Sequence, residues 1–177
     1  MVVYKSIPNV LSITRIIITI PVILLLEFHH NYTALVLFLI GAISDYLDGY
    51  LARKKKLVSN LGKLLDPLAD KIFVISLFVA MIKIIDIPYW LVLIIIFREF
   101  AVTGLRAQLA AKNFILPALI QGKVKTFSQF IALGFLIVGY QNKFFFEIGM
   151  IFLYITVITT LTSGIEYYIK YWKAINE

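Results

Sequence analysis

The sequence predicts an all-α membrane protein with six transmembrane helices, and three features carry that expectation. Apolar residues make up 61% of the 177 positions and charged residues only 15%, against about 25% charged in an ordinary soluble domain. The apolar runs are about 20 residues long, which at about 1.5 Å per residue crosses a hydrocarbon core of about 30 Å. They are also continuous, as in WLVLIIIF at 90–97, whereas the strands of a membrane barrel alternate apolar and polar residues.

The first span, 8–27, opens on Pro8-Asn9, holds Arg15 inside its apolar run, and meets no cleavage-like cluster of small residues. It is therefore expected to remain in the mature protein. The second, 32–53, is apolar as far as Ser44 and then carries acids before ending on Arg53. The third, 63–83, begins with two more acids and ends on Lys83. Pro88 opens the fourth, 88–112, as proline commonly opens a helix, and Arg98-Glu99 interrupts it. The fifth, 122–140, starts with Gly122-Lys123-Val124-Lys125. The sixth, 146–171, closes on Tyr167, Tyr168, Tyr171 and Trp172, which are expected to form an aromatic belt at the membrane interface. Short connections favour antiparallel packing of successive spans in one bundle, and 1–177 reads as a single domain.

Lys5, the run Arg53-Lys54-Lys55-Lys56, Lys112, Lys123, Lys125, Lys170 and Lys173 all fall on one side of this arrangement. The other side holds His29-His30, Lys83 with Asp86, and Lys143 with Glu147. The positive-inside rule then places both termini and the basic connections in the cytoplasm, with the chain multi-pass in the cell membrane. A net charge of +7 does not indicate nucleic acid, because the bases sit at span ends and no polar domain presents them to a duplex. Membrane lipids with anionic heads and phosphorylated substrates fit better. The absence of cysteine excludes disulfides, thiolate metal sites and cysteine nucleophiles.

Four of the ten acids lie between Asp45 and Asp70, in DYLDGYLARKKKLVSNLGKLLDPLAD. At about 100° per residue, Asp45 and Asp48 lie about 60° apart, with Gly49 and Ala52 on the same helix face. On the next helix Gly62, Asp66 and Asp70 recur every fourth residue. An ionised aspartate within a membrane costs about 2.5–3.5 kcal/mol on insertion scales, so four in one region need compensating positive charge. Nearby lysines offset part of it. Carboxylates converging from two helices also suit a pair of hard divalent cations, Mg²⁺ or Mn²⁺, and without cysteine or a nearby histidine they do not suit zinc.

The pattern D-x2-D-G-x2-A-R-x8-G-x3-D-x3-D, filled by Asp45, Asp48, Gly49, Ala52, Arg53, Gly62, Asp66 and Asp70, resembles the signature of the CDP-alcohol phosphatidyltransferase family at every fixed position. The resemblance implies a six-helix bundle, usually a homodimer, with a cytoplasm-facing cavity. It implies Asp45, Asp48 and Asp66 as ligands of two metal ions, and Asp70 as ligand and general base. Two bridged cations would suit the diphosphate of a CDP-lipid and the departing CMP, and a base there would take the proton of an incoming hydroxyl. Gly49 and Gly62 allow close approach of nucleotide and helix backbones, as they would also allow plain helix packing. Arg53 suits a phosphate oxygen or a cytoplasmic anchor.

Three segments bear on the acceptor and the lipid. Asn9, Ser12 and Arg15 are placed with Gly49, Ala52, Arg53 and Gly62 as contacts of the CDP-lipid, since a charge such as Arg15 inside a span is expected to face a cavity; Pro8-Asn9 would equally start a helix. In the fourth span Glu99, Thr103 and Arg106 share a face, because seven residues come within about 20° of two turns. Arg98 and Glu99 either neutralise one another or contribute to a site, while Arg106 has no evident carboxylate partner and suits a phosphate. Arg98, Thr103, Arg106, Lys123 and Lys125 thus form the expected pocket for an acceptor's phosphate. PNVLSITR, REFAVTGLR and GKVKTFSQ resemble the bacterial branch of the family that uses glycerol-3-phosphate, with Ser12 where threonine is commoner. That resemblance implies CDP-diacylglycerol and glycerol-3-phosphate as substrates and phosphatidylglycerol phosphate as product. The alternatives are a sister transferase taking inositol phosphate or phosphatidylglycerol, and a divalent-cation transporter built on the same carboxylates. His29 and His30 have no assigned role.

Overall fold

The computed structural model describes the backbone of residues 3–55, 60–111 and 120–176 and the side chains of 12–44, 67–110 and 120–171. These residues form helices α1 (Val3–Glu27), α2 (Asn31–Lys55), α3 (Asn60–Ile85), α4 (Tyr89–Ala111), α5 (Ile120–Gly139) and α6 (Lys143–Asn176), with no strand among them. The all-helical expectation and its helix order therefore stand. The ends shift by a few residues, and the physical causes are local. α1 begins at Val3, so Pro8 is inside the helix and not its start. α6 begins at Lys143 because Asn142 caps it: the Asn142 side-chain oxygen accepts the Phe144 backbone N–H at 2.9 Å.

α1 stops in a tight motif in which the His29 N–H bonds Leu26 O at 3.0 Å and the His30 N–H bonds Leu25 O at 2.8 Å. His29 takes the left-handed conformation, φ 64°, that this stop demands and that glycine adopts most easily. Asp86 does the same after α3 at φ 56°. Side chains then link the turns at this end of the bundle. The Lys83 ammonium donates to Glu27, and the His29 ring stacks on Tyr140 at 4.7 Å between centroids. His29 is thus a turn residue with a packing partner.

Successive helices do not all make the broadest contacts. α5 packs along α6, α1 against both α2 and α3, α4 against α6, and α2 against α5. Simple antiparallel pairing of each span with the next does not describe the bundle: α2 meets α3 through large side chains, with Phe38 stacked on Phe73 at 5.7 Å, and α4 reaches α5 through Glu99 and Lys125. Two glycines bring α5 and α6 together. A Cβ on Gly139 would lie 2.7 Å from Phe146 Cα, and one on Gly149 would lie 2.9 Å from Leu136 Cγ.

The main core gathers Val22, Phe38, Phe73, Leu77, Phe78, Leu91, Leu133, Leu136 and Leu153 from all six helices. A smaller cluster joins Val102 and Leu109 of α4 to Tyr167 and Tyr171 of α6. Here the structure corrects the sequence. Tyr167 and Tyr171 are buried side chains between α4 and α6, while Tyr168 is exposed and the Trp172 side chain lies outside the described residues. The tyrosines follow helical periodicity, and one face of α6 turns inward. Outward faces are strongly apolar: Ile13, Ile17, Ile20 and Leu24 on α1, Val36 and Ile40 on α2, Phe97 and Phe100 on α4, Ile158 and Ile165 on α6. Among the described residues one helix, Lys143–Tyr171, is long and apolar enough to cross a membrane by length and composition.

Candidate active site

Polar groups are buried toward the end of the bundle away from the tight turns. α4 contributes Arg98 and Glu99, α5 contributes Lys125, Ser128 and Gln129, and α6 contributes Thr156, Thr160 and Ser163. Beside them opens a cavity of about 660 Å³, walled by α2 at Ala42 and Ile43, α3 at Pro67, Asp70 and Lys71, α4 from Arg98 to Arg106, α5 from Gly122 to Phe130, and α6 at Tyr167. Pro67 has no N–H for the carbonyl four residues earlier; α3 continues through it. The Lys71 ammonium donates back to Pro67 O at 3.2 Å.

All five residues expected around an acceptor's phosphate, Arg98, Thr103, Arg106, Lys123 and Lys125, line this cavity together with Asp70. Helical spacing explains it: 99, 103 and 106 share one face of α4, and 122, 123, 125 and 126 form the first turns of α5 facing it. Five cationic side chains, counting Lys71, stand against the carboxylates of Asp70 and Glu99 among the described lining residues. This described part of the wall is net positive and suits an anion.

The cations differ in how they are held. Lys125 donates to Glu99 Oε1, and Arg98 reaches the same oxygen from Nη1 at 3.4 Å while Nη2 donates to Ser163 Oγ at 2.8 Å. The Glu99 and Lys125 side chains are only 9% and 7% exposed. Arg98 lies over Gly164, where a Cβ would come within 3.2 Å of Arg98 Cγ. Arg106 donates from Nη2 to the Tyr167 hydroxyl, and its guanidinium carbon sits 5.0 Å from the tyrosine ring centre. Thr103 gives its hydroxyl proton to Glu99 O at 2.6 Å, which leaves its oxygen free to accept. Lys123 is exposed at the rim.

The other expected site residues are not among the described lining of this cavity. Ser12 and, one turn further along α1, Arg15 are both buried. Thr19, on the turn after Arg15, donates to Arg15 O at 2.9 Å. The side chains of Asn9, Asp45, Asp48, Gly49, Ala52, Arg53, Gly62 and Asp66 fall outside the described residues, although the backbone places all of them on α1, α2 and α3. No cluster of three or more metal-binding side chains occurs among the described residues, which include only Asp70 of the four aspartates.

Sequence reading misses Tyr167, Ser163 and the partnership of Glu99 with Lys125. A signal for the first two exists. Thr156, Thr160, Ser163 and Tyr167 recur at intervals of four, three and four, a polar stripe along one helix face. Nothing local could pair Glu99 with a lysine 26 positions away.

The profile of the family described as CDP-alcohol phosphatidyltransferase matches residues 5–162. A Bacillus subtilis (strain 168) protein named CDP-diacylglycerol–glycerol-3-phosphate 3-phosphatidyltransferase is 42% identical over 144 residues, 79% of this chain and 74% of its own. Proteins of the same name from Rickettsia typhi and Rickettsia prowazekii are each 38% identical over 171 residues, which cover 93% of this chain and 96% and 94% of theirs. Agreement of this extent, over nearly the whole bundle, means that the chain belongs to the CDP-alcohol phosphatidyltransferase family.

Proposed function

We propose that this enzyme transfers the phosphatidyl group of CDP-diacylglycerol to glycerol-3-phosphate, giving phosphatidylglycerol phosphate and CMP. The observation that carries the proposal is the shared cavity: Asp70 opens onto the space that Arg98, Arg106, Lys123 and Lys125 surround. A carboxylate able to accept a proton thus lies beside cations able to hold a phosphate. A phosphorylated alcohol satisfies both, whereas free serine, choline or ethanolamine would leave the cations without their anion. The names of the relatives supply the same pair of substrates.

In this reading the acceptor's phosphate rests against Arg106 and Lys123, with Lys125 and Arg98 behind them. One of its two free hydroxyls points to Asp70, which takes the proton as the oxygen attacks the lipid-side phosphorus and the bond to CMP breaks. Asn9, Ser12, Arg15, Gly49, Ala52, Arg53 and Gly62 hold the CDP-lipid. Asp45, Asp48, Asp66 and Asp70 would hold two Mg²⁺ or Mn²⁺ ions; the donor set is all oxygen, which fits hard cations, and Asp66 stands one helical turn before Asp70 on α3. Bound there, such ions would offset the charge of the diphosphate and of the departing CMP. The six helices span the cell membrane as a multi-pass bundle, a reading that their apolar outer faces support, with both termini and the cavity on the cytoplasmic side, where the positive-inside rule puts the basic connections. The chain works as a homodimer.

CMP release from CDP-diacylglycerol by the purified protein in detergent tests the reading. Release is expected to require glycerol-3-phosphate and to stop when EDTA removes divalent ions, with restoration by Mg²⁺ or Mn²⁺. Release with inositol phosphate or phosphatidylglycerol in place of glycerol-3-phosphate would keep the family chemistry and reject the acceptor.

A further inference from the structure

A cavity that binds an anion has no evident use for a second carboxylate, yet Glu99 sits in its wall. It does so at a junction of three helices. Through Oε1 it accepts from Lys125 of α5 and, at 3.4 Å, from Arg98 beside it on α4; Arg98 continues the connection to Ser163 of α6 at 2.8 Å. A lysine carries its charge on a flexible four-carbon stem, and the entropy of that stem opposes any single position for the ammonium. Pairing to a buried acid removes that freedom before a ligand arrives. Arg98 is confined in the same way from two ends, and Gly164 leaves room for its stem.

We propose that Glu99 is a positioning residue for the acceptor: it sets Lys125 and Arg98 in place, so that the phosphate of glycerol-3-phosphate meets cations already ordered. The inference rests on the proposed reaction and adds a residue to it. Glu99 itself touches no reacting atom. Arg106, anchored separately through Tyr167, and the rim residue Lys123 are independent of it. Loss of Glu99 therefore weakens the grip on the acceptor without abolishing it, and leaves the lipid side of the site alone.

Steady-state CMP release by the full chain in detergent, with each substrate varied in turn, tests the idea on wild type, Glu99→Gln and Glu99→Asp. In Glu99→Gln the KM for glycerol-3-phosphate is expected to rise about tenfold, the loss of one hydrogen bond to a charged group, while the KM for CDP-diacylglycerol stays unchanged. Glu99→Asp keeps the charge and recovers part of the loss, which a merely space-filling role would not predict. An unchanged acceptor KM in Glu99→Gln, or an equal rise for both substrates, overturns the positioning role while the reaction stands. A wild-type protein with no glycerol-3-phosphate-dependent release overturns the reaction and this inference together. Should Glu99→Gln fail to fold, Glu99→Asp carries the test, since it draws the acid back from Lys125 and Arg98 without stranding a buried charge. A rise of about threefold in acceptor KM then supports the role, and no change overturns it.

Discussion

Around Phe38 and Phe73 the bundle is closed by rings and aliphatic side chains from every helix, whereas around Glu99 and Lys125 it is held by paired charges and hydroxyls. The first region gains its stability from area removed from water, about 25 cal/mol per Å² in aqueous terms and, in an apolar surrounding, from close packing. The second region gains little net stability from its charges, because desolvation offsets most of the attraction of a buried ion pair. What it gains is order: Lys125, Arg98 and Arg106 each have a fixed partner and open on a cavity. One chain thus separates the region that keeps it folded from the region that binds, and a substitution in one should leave the other's signature intact.

The strongest test of that separation is Asp70→Asn. Removing a general base lowers turnover by about 10²–10⁴-fold, so CMP release should nearly vanish while the thermal midpoint stays close to wild type. A large fall in the midpoint would place Asp70 among the groups that hold the fold. Phe73→Ala is the converse. Deleting a fully buried ring that stacks on Phe38 is expected to cost about 3–5 kcal/mol of stability, read by thermal or denaturant unfolding in detergent, with the KM of both substrates unchanged in the protein that remains folded. A selective loss of acceptor affinity would join the two regions. The smallest effect belongs to Tyr167→Phe, which keeps the ring beneath Arg106 but removes the hydroxyl that accepts from it. A rise of about fivefold in the KM for glycerol-3-phosphate, about 1 kcal/mol, matches one hydrogen bond. An unchanged KM would mean that the ring alone positions Arg106.

Legibility in the sequence followed the same division. Helix identity and order were plain, because apolar runs of about 20 residues leave few other conformations. The cationic wall was also readable: Glu99, Thr103 and Arg106 lie on one face by period alone, and Lys123 and Lys125 stand at the opening of the next helix. Helix partners were not readable. Short connections suggest that α4 should lie along α5, but α4 makes its broader contact with α6, a choice set by which faces interlock and invisible to loop length. The buried Tyr167 and Tyr171 looked like interface aromatics because composition does not say which face of α6 turns inward.

The family was readable from the spacing of Asp45, Asp48, Asp66 and Asp70 with their glycines, and so were the residue types that would have to meet. Periodicity within a helix is a local property, fixed by about 3.6 residues per turn. Tertiary structure alone decided the pairings between helices: Glu99 with Lys125, Arg98 with Ser163, Arg106 with Tyr167. Each joins residues between 26 and 65 positions apart. Only the packing of α4 against α6, and of both around α5, brings those side chains within hydrogen-bonding reach.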